Sequence, residues 1–163
     1  MPSLRHDGLA YELALPGAEP RGRVVILHGA GSRKENHRDF ARLCADRGLA
    51  AVAFDQRGHG DSDGALDGRA IDDVAAIAEL LPGDGPLFLR GSSMGGFLAL
   101  AAAAPVGAQG VVAVCPAARE LLLYGLRSGL LDFRADAYAL ESLLEVFDLQ
   151  AAARALGSRL LLI

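Results

Sequence analysis

Residues 86–104 read PLFLRGSSMGGFLALAAAA, and their reading decides the fold. Pro86–Arg90 is a short apolar run of strand length that leads straight into Gly91-Ser92-Ser93-Met94-Gly95, and an alanine-rich stretch then reads as a helix to about Ala104. The pattern G-x-S-x-G between a strand and a helix is a tight turn. It forces the serine into a strained backbone conformation, and glycines two residues to either side avoid the clash that side chains would bring. The turn lifts the Ser93 hydroxyl above the sheet and sets it at a helix N-terminus, where partial positive charge favours an oxyanion. Ser93 is therefore the candidate nucleophile.

The residues before this turn repeat its plan. Leu9–Leu15 reads as an opening strand ended by Pro16-Gly17. Arg23–Leu27 is a β-branched run followed by His28-Gly29-Ala30-Gly31. Lys34–Arg47 is expected to be a helix with Phe40, Leu43 and Cys44 on one face and Gly48 just past its end. Ala50–Phe54 is a further strand, leading into Asp55-Gln56-Arg57-Gly58-His59-Gly60-Asp61-Ser62. Asp67 is a candidate N-cap for a helix through Leu81. After the turn, Gly110–Cys115 reads as a parallel strand, residues 117–147 as leucine-rich amphipathic helices, Asp148–Leu156 as a helix, and Arg159–Ile163 as another buried strand. Alternating strands and helices imply an α/β fold, a three-layer sandwich around a mostly parallel sheet. Residues 1–163 carry no repeat or linker and are read as a single domain, with 117–147 as a short cap insertion.

Composition narrows the function. A net charge of −4 with both signs interspersed offers no basic footprint for nucleic acid and no polybasic membrane patch. Gly91–Ala118 is free of charge, but Pro105, Gly107, Gln109, Gly110 and Pro116 interrupt it, so no membrane span is expected. Met1–Asp7 has no apolar core of the kind a signal peptide needs. Cys44 and Cys115 have neither metal nor redox spacing and read as two free, buried thiols of a cytoplasmic protein. No cluster of His, Cys or carboxylates has ligand spacing, so neither metal nor organic cofactor is expected.

Acyl transfer needs backbone N–H groups aimed at a developing oxyanion. The glycine-rich loop at 28–31 exposes such groups, and Ala30 N–H with Met94 N–H is the expected pair. Asp55 and Arg57 in the next glycine-rich loop read as braces for neighbouring backbone, and His59 as structural.

H-G-x-G, then D-x-R-G-x-G-x-S, then G-x-S-x-G, each after a successive strand, resembles the α/β-hydrolase superfamily. The branch it is most similar to is that of small esterases, monoacylglycerol lipases and serine aminopeptidases. The resemblance covers about Arg21 to Cys115. It implies a serine hydrolase acting on an ester, thioester or amide of a small-molecule acyl substrate, with Ser93 as nucleophile, Ala30 and Met94 as oxyanion donors, and 117–147 shaping the acyl pocket.

In that superfamily the triad acid and histidine follow the nucleophile. His6, His28, His37 and His59 all precede Ser93, and Glu120 reads as a solvated residue of the first cap helix. The fold is accordingly expected to lack its last strand and helix, and the isolated chain to show little turnover. Three explanations stand open: a piece of a longer hydrolase, a site completed by another chain, or an inactive binding module. An unpaired apolar C-terminal strand would favour self-association.

Overall fold

The computed structural model describes residues 1–163. Seven strands form one sheet: β1 (Leu4–His6), β2 (Leu9–Ala14), β3 (Gly22–Leu27), β4 (Leu49–Phe54), β5 (Leu87–Ser92), β6 (Gly110–Val114) and β7 (Leu160–Leu162). Their order is β1-β2-β4-β3-β5-β6-β7. From β4 to β7 all neighbours pair in parallel, whereas β1 and β2 run antiparallel. The helices are α1 (Arg38–Ala45), α2 (Ala70–Glu79), α3 (Met94–Ala102), α4 (Arg119–Arg127), α5 (Ala137–Val146) and α6 (Leu149–Leu156). The expected α/β fold with a mostly parallel sheet is the one the chain adopts.

Strand β3 shows why. Val24, Val25, Ile26 and Leu27 are buried on both sides of the sheet, as a central parallel strand requires. Val25, Leu27, Val52, Phe54, Leu87, Leu89 and Val111 face α2 and α3 and build the larger core, which α6 closes through Leu156. Ala14, Val24, Ile26, Ala51 and Ala53 face α1, which meets them with Ala41 and Cys44. The sequence of strands reverses direction at β3, since β4 lies on one side of it and β5 on the other. The loops after β3 and β5 therefore meet at a crevice above the carboxyl ends of the strands, where open α/β sheets hold ligands.

Several local expectations are corrected. Lys34–His37 is a 3₁₀ turn, so α1 begins only at Arg38. Phe40 and Leu43 are exposed and Ala41 shares the buried face with Cys44, because small residues let α1 sit close to alanine-rich β4. Asp67 accepts a hydrogen bond from Arg69 N–H at 2.9 Å, but α2 starts at Ala70, one residue after Arg69. Cys115 is exposed; only Cys44 is buried.

Over the larger core, α4 and α5 lie against each other, and Leu122, Leu140 and Leu144 join Met94, Phe97 and Leu98. The chain between α4 and α5 is tied down by backbone: Leu66 N–H donates to Arg134 O at 2.9 Å and Asp136 N–H to Leu66 O at 2.9 Å. No helix is long and apolar enough to cross a membrane.

Candidate active site

Ser93 sits between β5 and α3 with φ 51° and ψ −120°, a conformation side-chain-bearing residues rarely adopt. A Cβ on Gly91 would collide with the Gly95 carbonyl, and one on Gly95 with the carbonyls of Leu27 and His28, so the turn closes only with glycine at both places. Backbone hydrogen bonds hold it. Ser93 N–H donates to Val114 O at 3.0 Å, and Ser93 O accepts from Gly96 N–H (2.9 Å), Phe97 N–H (3.1 Å) and Ala117 N–H (3.0 Å). The side chain itself is exposed. Met94 is the first residue of α3, where N–H groups have no acceptor within the helix.

The loop after β3 lies directly against this turn, since a Cβ on Gly29 would stand 3.3 Å from Ser93 Cβ. Ser32 N–H closes the loop on Gly29 O at 3.1 Å. Ala30 is exposed and its N–H donates to no group of the chain. Of the predicted site residues, Ser93 and Met94 thus share one turn, and the loop bearing Ala30 packs on it.

The loop after β4 supports the one after β3. His28 is fully buried; its Nε2 accepts from Gln56 N–H at 3.0 Å and its Nδ1 lies 2.8 Å from Gly29 O. Gln56 Nε2 returns a hydrogen bond to His28 O at 2.7 Å. Asp55 is also fully buried and accepts from Lys34 N–H (2.7 Å), Lys34 Nζ (2.8 Å) and Asp61 N–H (2.9 Å). Arg57 braces a different segment, gripping Asp73 at 2.9 Å and donating to Asp7 O at 3.1 Å.

Each histidine is engaged away from Ser93. Burial, with the neighbouring His59, pushes His28 down to about 4, against the Gly29 carbonyl and Asp55, so it stays neutral. His37 accepts from Arg90 Nη1 at 3.0 Å, and burial together with that guanidinium lowers it to about 4. His59 stacks on Phe133 at 4.3 Å with Nδ1 3.1 Å from Arg57 O, and burial lowers its pKa. His6 is exposed on β1 beside Asp7 at 3.6 Å. Glu120 is exposed and paired with Arg119 at 2.9 Å; its own backbone N–H and Arg119 hold its carboxyl below the usual range.

Two cavities lie among α4, α5 and their neighbours, and only the second reaches the Ser93 turn, through Met94. One, of about 470 Å³, opens between the start of α4 and the α5–α6 link and is lined by Arg119, Glu120, Glu145, Phe147 and Asp148. The other is a void of about 10 Å³ among Met94, Phe97, Leu131, Phe133 and Leu144, so leucines and phenylalanines already fill the space between α3 and the helices above it. No group of three or more His, Cys, Asp or Glu is arranged to hold a metal ion.

The stretch of chain that carries the Ser93 turn is similar to known proteins. Residues 18–135 match the family described as serine aminopeptidase, S33. The chain belongs to this family of α/β hydrolases. Within the S33 setting it is 30% identical over 112 residues to human monoglyceride lipase, covering 62% of this chain and 37% of the lipase. It is 30% identical over 101 residues to monoacylglycerol lipase of Mycolicibacterium smegmatis, covering 57% and 36%. The chain thus spans little more than a third of these two relatives. Among solved structures, a soluble variant of monoglyceride lipase from Saccharomyces cerevisiae aligns with TM-score 0.58 at 27% identity, over 71% of this chain and 44% of that one. An α/β serine hydrolase without lid from Xanthomonas campestris has the same fold, with TM-score 0.65 at 22% identity over 99% of this chain and 82% of that one.

Two features that brace the loop after β3 escaped the sequence reading. Lys34 is one, because its partners Asp55 and Asp61 lie 21 and 27 residues away in another loop. The other is His28, whose role rests on contacts with Gln56 that no local spacing announces.

Proposed function

We propose that this chain carries the nucleophile half of a serine hydrolase that cleaves a carboxylic ester, thioester or amide through an acyl-enzyme on Ser93. The observation that supports it is the exposed, strained Ser93 turn with the unbonded Ala30 N–H on the loop packed against it. In this reading Ser93 Oγ adds to the acyl carbon, the carbonyl electrons move onto oxygen, and the N–H groups of Ala30 and Met94 stabilise that charge. Helices α4 and α5 act as the cap over the acyl group, which the filled space beneath them keeps short. The base that would take the serine proton, and the acid that orients it, come from outside these 163 residues, because no histidine follows Ser93. Two unpaired thiols and no disulfide fit a reducing compartment such as the cytoplasm.

The second reading, a hydrolase-fold binding module, is favoured by the commitment of every histidine elsewhere. An alkyl fluorophosphonate and a chromogenic butyrate ester separate the two. We expect slow stoichiometric labelling at Ser93, absent in Ser93→Ala, and ester turnover near the buffer rate, since serine without a base is a poor nucleophile. No labelling at Ser93 would leave the binding module. Turnover at ordinary enzyme rates would show that the chain holds its own base.

A further inference from the structure

The loop from His28 to Lys34 is anchored at both ends; between them Ser32 bonds back to Gly29 O and accepts from Asn36 Nδ2, while the Ala30 N–H donates to nothing in the chain. At its start, the paired bonds of His28 and Gln56 fix the first residue. At its end stands Lys34, a lysine with no solvent exposure at all. Its ammonium is held by Asp55 Oδ2 (2.8 Å), Asp61 Oδ2 (2.8 Å) and Glu35 Oε1 (2.9 Å). Its backbone N–H meets the other oxygen of the same Asp55 carboxylate at 2.7 Å. One carboxylate thus grips the end of the loop by backbone and side chain together, and also takes Asp61 N–H at 2.9 Å. Gly60 is part of the device, since a Cβ there would overlap the Asp55 carboxylate.

Burying an ion pair is a poor way to gain stability, because desolvation offsets most of the attraction, and an apolar pair of similar volume serves as well. What such a pair does supply is a fixed geometry, and the segment it fixes runs from Gly29, in contact with Ser93, through Ala30. We propose that Lys34, held by Asp55 and Asp61, is a positioning residue that sets the direction of the Ala30 N–H towards the oxyanion. The inference rests on the serine-hydrolase reading. Lys34 touches no reacting atom; it acts through the loop. Burial works to lower its pKa, but the bonds to Asp55, Asp61 and Glu35 outweigh that and raise it, so the anchor stays charged at any working pH.

The experiment compares two ligands of equal chain length on the whole chain. The first is an alkyl trifluoromethyl ketone. Ser93 Oγ adds to its carbonyl carbon, the π pair moves to oxygen, and the hydroxyl proton passes to water, giving a tetrahedral oxyanion adduct that fluorine NMR detects. The second is the matching methyl ketone, which binds without addition. For Lys34→Met we expect the adduct to weaken by roughly tenfold to a hundredfold, less than deleting an oxyanion donor outright costs, while methyl ketone binding by the folded protein stays unchanged. Asp61→Ala serves where Lys34→Met fails to fold, because the Asp61 side chain is 66% exposed. Losing that outer ion pair is expected to weaken the adduct roughly threefold. Adduct affinity equal to wild type in these variants overturns the positioning role, and so does a parallel loss of both ligands. A wild-type chain that forms no adduct, or forms it equally as Ser93→Ala, overturns the serine-hydrolase reading itself.

Discussion

On one face of the sheet, α2 and α3 press on β3, β4 and β5 until Val52, Leu89 and Phe97 lose all exposure. On the other face α1 stands alone, and the strands beyond its reach show apolar side chains to water, Phe88 at 36% and Leu161 at 55%. The two faces are held in different ways. The crowded one is dry and rests on apolar area. The open one presents alanines from β4, which bury little, and fixes α1 and the 3₁₀ turn before it with charge instead: Arg38 on fully buried Glu12, and Lys34 on Asp55. Arg90 extends the same pattern, stacked 5.1 Å from the Phe40 ring while donating to His37. Such geometry depends on direction, which suits a face that must hold the loop beside Ser93. Apolar packing is indifferent to direction and suits the face that only has to stay shut.

The contrast can be broken most sharply at Phe97. Its truncation in Phe97→Ala opens a cavity in the crowded core, and urea unfolding should show a loss of about 3–5 kcal/mol. A loss below about 1 kcal/mol would mean that the core relaxes and is no dry wall.

Acid tests the polar layer. His28 is buried and neutral in the fold with a pKa of about 4, against 6.5 when unfolded. The unfolded chain therefore takes up the proton first. Its contribution is complete above pH 6.5, declines as pH falls towards 4, and levels off below, by up to ~3 kcal/mol for His28 alone. His37, also lowered to about 4, adds to the same slope. Thermal melts between pH 7 and 4 should fall steeply for wild type and less so for His28→Gln. Equal slopes would place the acid sensitivity elsewhere.

The smallest effect is expected on the uncovered strands. Leu161→Ser, on edge strand β7, should change stability by less than about 0.5 kcal/mol, as exposed substitutions do, while lowering the fluorescence of a bound hydrophobic dye. A large destabilisation there would show that this apolar patch is covered in solution.

How much of this was legible follows the same division. Strands buried on both faces announce themselves as unbroken apolar runs, which is why β3, β4 and β6 were readable. The turn at Ser93 was readable because its constraint is local, two glycines at fixed offsets. β1 was not, since Leu4, Arg5 and His6 are all exposed and carry no hydrophobic period. The buried side of α1 was misread because Phe40 and Leu43 outweigh Ala41 in hydrophobicity, while the space above Ala51 and Ala53 admits only small residues. The charge pairs that fix the open face join residues far apart in the chain, and only the folded chain brings them together.

Ser93 carries a consequence of its own. At φ 51° the backbone there suits glycine better than any residue with a side chain. Ser93→Gly should therefore melt higher than Ser93→Ala, by roughly 1 kcal/mol, and equal melting would show the turn to be unstrained. Folding by itself selects against a serine at this place. Keeping a hydroxyl there therefore costs the fold stability, a cost for which the serine-hydrolase reading of Ser93 gives a reason.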